Sequence, residues 1–257
     1  MKIAVITGAS SGMGQEFAAQ INQKCLGLDE IWLIARRKEL MEEGAKELTL
    51  PVRVFAMDLS DDPSYAELIY ALETEKPQVR VAVNCAGYGK TGPFSDISIE
   101  DNLGMIDVNC RALTKMSCLL LPYMPQRSYL IQVASVAGIL PQPNFAVYAA
   151  SKAYVLSLSR ALREELRPKG ISVTAVCPGP VATDFFAIAE ETGSPFALKK
   201  YFMAKKEKVV ALALKDAFRK KDVSVYGISM KALRLLVKTV PQKMILYVYA
   251  KLYRNVS

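Results

Sequence analysis

Histidine is absent from all 257 residues of this sequence. This absence excludes Ser-His-Asp and Cys-His catalysis, zinc sites built on imidazole, and hydride transfer that uses histidine as the acid. Proton transfer near neutral pH must therefore use a tyrosine, a lysine, a carboxylate or a cysteine of shifted pKa. We expect no metal site.

Paired cysteines and long hydrophobic runs are absent as well. The five cysteines are scattered without a C-x-x-C pair, and Met1-Lys2 leads into a predicted strand rather than a signal peptide. We interpret the cysteines as reduced thiols of a cytoplasmic protein. The sequence has no run of 18 uncharged apolar residues, so no segment is predicted to span a bilayer.

Positive charge is concentrated near the C-terminus. Residues 199–257 carry 15 basic and three acidic residues, a net charge of +12, whereas residues 1–198 carry 18 basic and 22 acidic residues, a net charge of −4. The positive net charge of +8 therefore comes from the C-terminal part, while the rest of the chain is slightly acidic. We expect no nucleic-acid partner.

Short apolar runs alternate with segments of helical periodicity, and no linker separates them. This alternation predicts an α/β fold, a doubly wound (Rossmann) parallel sheet covered on both faces, in a single domain over residues 1–257. A core over 1–183, a substrate loop over 184–204 and C-terminal amphipathic helices over 227–254 are its expected parts. A helix at about 206–220 and a short strand near 224–226 lie between the last two parts. The predicted strands and helices of the core are Lys2–Thr7, Gly14–Lys24, Ile31–Ala35, Lys38–Leu48, Val52–Met57, Pro63–Glu75, Val81–Asn84, Ser98–Leu121, Tyr129–Ala134, Tyr148–Arg167 and Ile171–Val176.

A glycine-rich turn, Thr7–Gly14, stands between the first predicted strand and helix. Its glycines permit a tight turn and a close approach of the backbone to a pyrophosphate, whose charge faces the helix N-terminus. The spacing is G-x-x-x-G-x-G, and the strand-turn-helix context supports the interpretation. The expected cofactor contacts in this turn are Gly8, Ser10, Ser11, Gly12, Met13 and Gly14.

The end of the second predicted strand indicates which dinucleotide binds. Ala35 stands where NAD-binding sites usually have an acidic residue, and Arg36 and Arg37 follow it. A guanidinium suits the 2′-phosphate of NADP, so we expect NADP(H), with Arg36 and Ser10 as the phosphate partners. The alternative is that Arg36, Arg37 and Lys38 only form the solvated start of a helix.

Tyr148 and Lys152 stand four residues apart in the predicted long helix, so they share one face of it. A nearby ammonium stabilises a phenolate and lowers the pKa of a tyrosine from its usual value of about 10. Such a pair can also occur by chance on a protein surface.

Together with other motifs, this pair resembles the short-chain dehydrogenase/reductase family, from Lys2 to about Phe185. Cys85 is the one departure from the family's motifs, because it replaces the second asparagine of the N-N-A-G motif. Cysteine is small, so we expect no loss of function. The part after Gly227 is similar, more loosely, to bacterial members grouped with long-chain 3-ketoacyl and hydroxysteroid reductases. Besides Tyr148 and Lys152, the matching positions are Thr7–Gly14, Asp58-Leu59, Asn84-Cys85-Ala86-Gly87, Asn109, Ser135 and Pro178–Thr183.

The resemblance implies a catalytic set of Asn109, Ser135, Tyr148 and Lys152. In the reductive direction, Ser135 and Tyr148 donate hydrogen bonds to the substrate carbonyl, and Tyr148 delivers a proton while NADPH delivers hydride. Lys152 binds the nicotinamide ribose and lowers the Tyr148 pKa, and Asn109 holds a water that links Lys152 to solvent. The further implied cofactor contacts are Asp58, Leu59, Asn84, Ala86, Gly87, Tyr148, Lys152, Pro178, Gly179, Val181 and Thr183.

Aromatic residues are frequent between Asp184 and Met203, where the family has its substrate loop. They favour an apolar substrate such as a steroid, a fatty-acyl or an aromatic carbonyl compound, or they only pack the loop onto the core. The basic C-terminal helices pack on their own subunit, cap a dimer, or contact a membrane surface weakly. The aromatic residues of the loop are Phe185, Phe186, Phe196, Tyr201 and Phe202.

The sequence thus predicts an NADP(H)-dependent alcohol dehydrogenase or carbonyl reductase that forms a homodimer or homotetramer. One alternative is a non-catalytic NADP(H)-binding protein that acts as a redox sensor or partner-binding scaffold. Another, within enzymes, is a 3-oxoacyl-thioester reductase. The intact catalytic set argues against a scaffold, which has no need of all four residues.

Overall fold

The computed structural model describes residues 1–25, 27–190 and 203–247. In these residues, a seven-stranded parallel sheet has the strand order β3-β2-β1-β4-β5-β6-β7. The order reverses at β1, which pairs with β2 on one side and with β4 on the other. The strands are β1 (Lys2–Thr7), β2 (Glu30–Ala35), β3 (Val52–Ala56), β4 (Gln78–Asn84), β5 (Tyr129–Val133), β6 (Ser172–Val176) and β7 (Val223–Ser224).

Helices cover both faces of this sheet. Single turns of 3₁₀ helix lie at Pro63–Tyr65, Leu121–Tyr123 and Val136–Ile139, and a π-helix at Asp107–Ala112 joins α4 to α5. The α-helices are α1 (Gly12–Lys24), α2 (Lys38–Ala45), α3 (Ala66–Glu75), α4 (Ile99–Ile106), α5 (Leu113–Leu120), α6 (Ala146–Leu166), α7 (Phe185–Ala189), α8 (Lys206–Phe218) and α9 (Ile228–Thr239).

The core lies in two layers because successive side chains of a strand point to opposite faces. In β1, Ile3 and Val5 belong to the layer that α3 and α5 cover. Ala4 and Ile6 belong to the other layer, under α1 and α8. Burial on both faces explains why the strands are nearly continuous apolar runs rather than alternating ones.

The structure confirms the predicted doubly wound parallel sheet and corrects some boundaries. The long helix predicted over Ser98–Leu121 is divided by the π-helix, and β4 begins at Gln78, three residues before the predicted start. The predicted C-terminal helices correspond to α9 and to a helical segment over 242–247, and the rest of the second one lies outside the described residues. No helix within the described ranges combines the length and the hydrophobicity that a bilayer crossing requires.

Candidate active site

A cleft of about 860 Å³ opens at the carboxyl ends of the strands, where the strand order reverses. This is the place where open parallel sheets bind their ligands. Most of the residues that the sequence predicted as site residues line it. They are Gly8, Ser10, Ser11, Gly12, Met13, Gly14, Arg36, Arg37, Asp58, Leu59, Ala86, Gly87, Ser135, Tyr148, Lys152, Pro178, Gly179, Val181 and Thr183.

The glycine positions of this turn leave little or no room for side chains. A Cβ on Gly14 would lie 2.1 Å from the Gly8 carbonyl oxygen, and one on Gly8 would lie 2.9 Å from the Ala86 backbone. Gly8 and Gly12 also have positive φ angles of 68° and 57°, which other residues rarely adopt. The turn therefore brings bare backbone to the cleft at the N-terminus of α1.

Thr7, the last residue of β1, ties this turn to the next strand. Its hydroxyl accepts hydrogen bonds from the backbone N–H groups of Cys85 (3.0 Å) and Ala86 (3.1 Å). The sequence analysis included Thr7 in the turn but gave it no role. Its position at the end of β1, opposite Asn84 in the register with β4, explains the contact.

The two arginines after β2 occupy different positions. Arg37 donates hydrogen bonds from Nη2 to the hydroxyl oxygens of Ser10 (3.1 Å) and Ser11 (2.8 Å). The sequence predicted Arg36 and Ser10 as partners of the phosphate, and in the structure it is Arg37 that contacts Ser10. The phosphate contacts of Arg36 and Ser10 stay predictions. Both guanidinium groups are exposed at the cleft. They leave this end of the cleft positively charged.

Asp58 lies beside Arg36 at the same end of the cleft. Its carboxylate accepts hydrogen bonds from the Ser60 backbone N–H (2.9 Å) and hydroxyl (2.6 Å). Partial burial raises the pKa of Asp58, but the Ser60 hydrogen bonds and the charge of Arg36 outweigh it and hold the pKa below its usual value. Asp58 is thus a fixed carboxylate next to the exposed guanidinium.

Ser135, Tyr148 and Lys152 meet at the other end of the cleft. Ser135 follows β5 and lines the cleft together with Tyr148 and Lys152. Tyr148 and Lys152 project from α6, and the Lys152 ammonium nitrogen lies 5.7 Å from the Tyr148 ring centroid. Nζ of Lys152 also donates a hydrogen bond to the Val133 carbonyl oxygen (3.0 Å). Tyr148 is only 7% exposed and Lys152 only 4%.

Burial dominates the acid–base properties of this group. It raises the pKa of Tyr148 to about 12, against an opposing hydrogen bond from Ser135. It lowers the pKa of Lys152 to about 8. Lys152 was expected to lower the Tyr148 pKa, whereas burial is the largest influence on this phenol and favours its neutral form, as it does for Lys152. At neutral pH, Tyr148 therefore holds a proton that it can donate.

Asn109 lies in the π-helix, fully buried behind the cleft rather than in its lining. Its side chain accepts a hydrogen bond from the Tyr88 N–H (3.0 Å) and donates to the Tyr88 carbonyl (2.8 Å) and the Ser151 hydroxyl (3.0 Å). It thereby joins the segment after β4 to α6, which carries Tyr148 and Lys152. That Asn109 also holds a water stays a prediction.

Gly87 makes room for this arrangement. A Cβ at position 87 would lie 2.7 Å from Oδ1 of Asn109 and 3.1 Å from Nζ of Lys152. Both polar groups therefore approach the backbone at Gly87 more closely than a side chain would allow.

Asn84 does not face the cleft. Its amide nitrogen donates hydrogen bonds to Gln132 (2.9 Å) and Ser117 (3.1 Å), and its side chain is buried between β4, β5 and α5. The Asn84 side chain thus lies outside the cleft lining, whereas Ala86 and Gly87 belong to it, and the cofactor contact at Asn84 stays a prediction. Asn84 lies opposite Gln132 in the register of β4 and β5, which explains the hydrogen bond between their side chains. Oδ1 of Asn84 is buried and has no hydrogen-bond partner among the described residues.

Aromatic rings enclose Tyr148 on two sides. The Phe145 ring stacks on it with centroids 4.2 Å apart, and the Phe185 ring lies 5.3 Å away. Phe186 also lines the cleft. The sequence analysis missed Phe145, although its position three residues before Tyr148 at the start of α6 puts both on one face. The predicted Phe196, Tyr201 and Phe202 lie outside the described residues.

The reversed strand order, the bare glycine turn at a helix N-terminus and the cleft above it define a Rossmann-type nucleotide-binding oxidoreductase. A family model described as short chain dehydrogenase matches residues 2–193. The chain belongs to the short-chain dehydrogenase/reductase family.

Two relatives show what the chain is similar to. An uncharacterized oxidoreductase of Staphylococcus epidermidis is 32% identical over 184 residues, which cover 71% of this chain and 79% of the relative. A very-long-chain 3-oxoacyl-CoA reductase of Anas platyrhynchos is 33% identical over 197 residues, which cover 73% of this chain and 62% of the relative.

Solved structures agree with this assignment. A short-chain dehydrogenase from Sphingobium yanoikuyae, in complex with NADPH, has a TM-score of 0.75 at 26% identity and covers 94% of this chain and 97% of its own. A family member from Burkholderia phymatum, in complex with NAD, has a TM-score of 0.80 at 24% identity and covers 91% of this chain and 92% of its own.

Proposed function

We propose that this protein transfers hydride between NADP(H) and an apolar ketone or secondary alcohol. The observation that carries the proposal is the convergence of Ser135, Tyr148 and Lys152 at one end of a single cleft whose other end holds the glycine turn. A proton donor and a dinucleotide cradle in one cleft are what carbonyl reduction requires.

The residues present fit the cofactor. The cradle at Gly8, Gly12 and Gly14 exists only because these positions lack a Cβ, and backbone N–H groups at the N-terminus of α1 suit a pyrophosphate. When bound, the nicotinamide supplies or accepts the hydride. The further residues that would hold the cofactor are Ser10, Ser11, Met13, Asp58, Leu59, Ala86, Gly87, Tyr148, Lys152, Pro178, Gly179, Val181 and Thr183.

The preference for NADP(H) rests on charge. Arg36 and Arg37 are exposed at the cleft, and Ala35 presents no carboxylate that would repel a phosphate. Arg37 already contacts Ser10 and Ser11, so a phosphate bound there would meet both the guanidinium and the two hydroxyls. Such charge-assisted, planar contacts favour the 2′-phosphate.

The chain's own residues carry the proton. Ser135 and Tyr148 donate hydrogen bonds to the substrate oxygen, which stabilises the negative charge that develops there. Tyr148 then gives its proton to that oxygen, so the carbonyl gains one hydride and one proton and becomes an alcohol. The Lys152 side chain, largely protonated below its pKa of about 8, stabilises the resulting phenolate. In the oxidative direction each transfer reverses.

The substrate is proposed to be apolar because Phe145, Phe185 and Phe186 enclose the region around Tyr148. The similarity to a very-long-chain 3-oxoacyl-CoA reductase supports a fatty-acyl carbonyl, and hence a 3-oxoacyl thioester, as one candidate within this class. Steroid and aromatic ketones are the other candidates.

A spectrophotometric panel tests the proposal. Purified protein is mixed with NADPH or NADH and with short and long 3-oxoacyl thioesters, steroid ketones, aromatic ketones and a sugar carbonyl. We expect NADPH oxidation with at least one apolar carbonyl compound and slower oxidation with the sugar. NADPH binding without turnover on any of these compounds would instead favour the non-catalytic sensor or scaffold.

We also propose a cytoplasmic homodimer or homotetramer. Ile99, Leu103 and Ile106 form an exposed apolar stripe at spacings of four and three residues along α4. A second copy would cover this stripe, and analytical ultracentrifugation of the wild type and of Leu103→Glu tests the assignment. A wild-type monomer would contradict it.

A further inference from the structure

The outer side of α9 carries an apolar stripe that no described residue covers. Ile228 is 87% exposed, Leu235 64% and Leu236 46%. Lys231, Ala232 and Thr239 are exposed along the same side, at the spacings of three and four residues that define one helix face. Lys231 therefore lies within the apolar stripe.

The inner side of α9 fixes this helix to the core. Met230 packs so closely on Gly179 that a Cβ there would lie 2.8 Å from the Met230 sulfur. Arg234 is largely buried and pairs with Asp222 at 3.9 Å. Apolar residues thus lie on both sides of α9. Packing against the protein's own core accounts for the inner side and leaves the outer side exposed.

The stripe belongs to a region with one sign of charge. Residues 223–257 contain six basic residues and no acidic residue. The segment after α9 continues the same pattern, with exposed Lys243, Met244 and Tyr247. Exposed apolar side chains and uncompensated lysines therefore occur together over two consecutive helical segments.

We propose that α9 and residues 242–247 dock this protein on an anionic lipid surface. A helix that lies in the plane of a membrane buries an apolar face while its lysines extend their charged ends to the lipid phosphates. Tyrosine is enriched at that depth as well. A second copy of the chain fits less well, since it would bury Lys231 at the centre of an interface, where lysine is depleted.

This inference is independent of the proposed reaction, and vesicle co-sedimentation tests it. The full chain is mixed with vesicles of phosphatidylcholine alone or of phosphatidylcholine with phosphatidylserine, at low and at raised salt. We expect binding to the anionic vesicles, little binding to the neutral ones, and weaker binding as salt rises.

Two variants locate the surface. Leu235→Gln/Leu236→Gln removes apolar contact and should weaken anionic-vesicle binding by about tenfold or more. Lys231→Glu reverses one charge in the stripe and should weaken it by about tenfold. The matched controls are Leu40→Gln, at a leucine 43% exposed on α2, and Lys169→Glu, at an exposed lysine after α6. Neither control should change binding.

Thermal unfolding and NADPH binding verify that each variant is folded. Absence of wild-type binding to anionic vesicles would overturn the proposal, and so would equal loss in the controls. Loss of a dimer in Leu235→Gln/Leu236→Gln, without any vesicle binding by the wild type, would assign the stripe to a second copy instead.

Discussion

The two ends of the cleft differ in how they are built. The cofactor-turn end is exposed and charged, with glycine backbone, Arg36, Arg37 and a carboxylate at Asp58. The catalytic end is buried, and there Tyr148 and Lys152 are both shifted towards their neutral forms. A charged ligand group can be recognised where solvent is near, whereas a proton donor must stay protonated until the reaction. The two environments therefore suit different tasks in one cleft.

Removing the proton donor should have the largest effect at the buried end. Tyr148→Phe keeps the ring between Phe145 and Phe185 but lacks the hydroxyl, so turnover should fall by roughly a hundred- to ten-thousandfold. NADPH binding, measured by fluorescence titration, should change little, because the phosphate contacts lie at the other end of the cleft. More than a tenth of the wild-type rate in this variant would refute Tyr148 as the acid.

Removing positive charge should act at the exposed end alone. Arg37→Ala, Arg36→Ala and the double change Ala35→Asp/Arg36→Ala should each shift coenzyme selectivity towards NAD(H), by about ten- to a hundredfold where the phosphate contact is lost. The ratio of kcat/KM for NADPH to that for NADH measures this shift. Because Arg37 holds Ser10 and Ser11, we expect Arg37→Ala to have an effect at least as large as Arg36→Ala. Unchanged coenzyme selectivity in all three variants would show that neither Arg36 nor Arg37 binds the 2′-phosphate.

The smallest effect concerns stability at the buried end. The pKa of Lys152 is about 8 in the folded protein and 10.5 for the unperturbed side chain. Between these values the unfolded chain binds a proton that the folded one lacks, so Lys152 makes stability rise with pH, by at most about 1.4 kcal/mol per pH unit. The buried thiols oppose this trend in the wild type, and the comparison with a variant cancels their contribution.

Denaturant unfolding of the wild type and of Lys152→Met from pH 7 to pH 9 measures this effect. The wild type should gain stability relative to the variant as the pH rises through about 8. Lys169→Met, a change at an exposed lysine, should show the same dependence of the free energy of unfolding on pH as the wild type. If the stability of Lys152→Met also changes with pH as that of the wild type does, burial does not shift the pKa of Lys152.

Much of the cleft lining could be predicted because its residues stand in short motifs beside predictable elements. Gly8, Gly12 and Gly14 follow an apolar run, and Tyr148 and Lys152 lie one helical turn apart. These relations involve neighbours in the chain, so local pattern was sufficient. Ser135 and Tyr148 were assigned to one site through the family resemblance, and in the structure both line the same cleft.

Contacts between residues distant in sequence could not be predicted. Ser10 and Arg37 are 27 residues apart, and which of two adjacent arginines turns towards the serines depends on how α2 packs. The side chain of Asn84 forms a hydrogen bond with Gln132, 48 residues away, and the motif around Asn84 does not indicate this partner. The π-helix around Asn109 could not be predicted either. Asn109 contacts Tyr88 and Ser151, and the helical periodicity of the sequence does not indicate these partners.

The sequence by itself determined the alternation of strands and helices, the order of the motifs and the concentration of basic residues near the C-terminus. Only the tertiary structure decided the direction of the Tyr148 pKa shift and which side of α9 is exposed. The physical reason is that both depend on solvent exclusion. The pKa of a phenol follows the packing of Phe145 and Phe185 around it, and a helix face is bare or covered according to what folds against it.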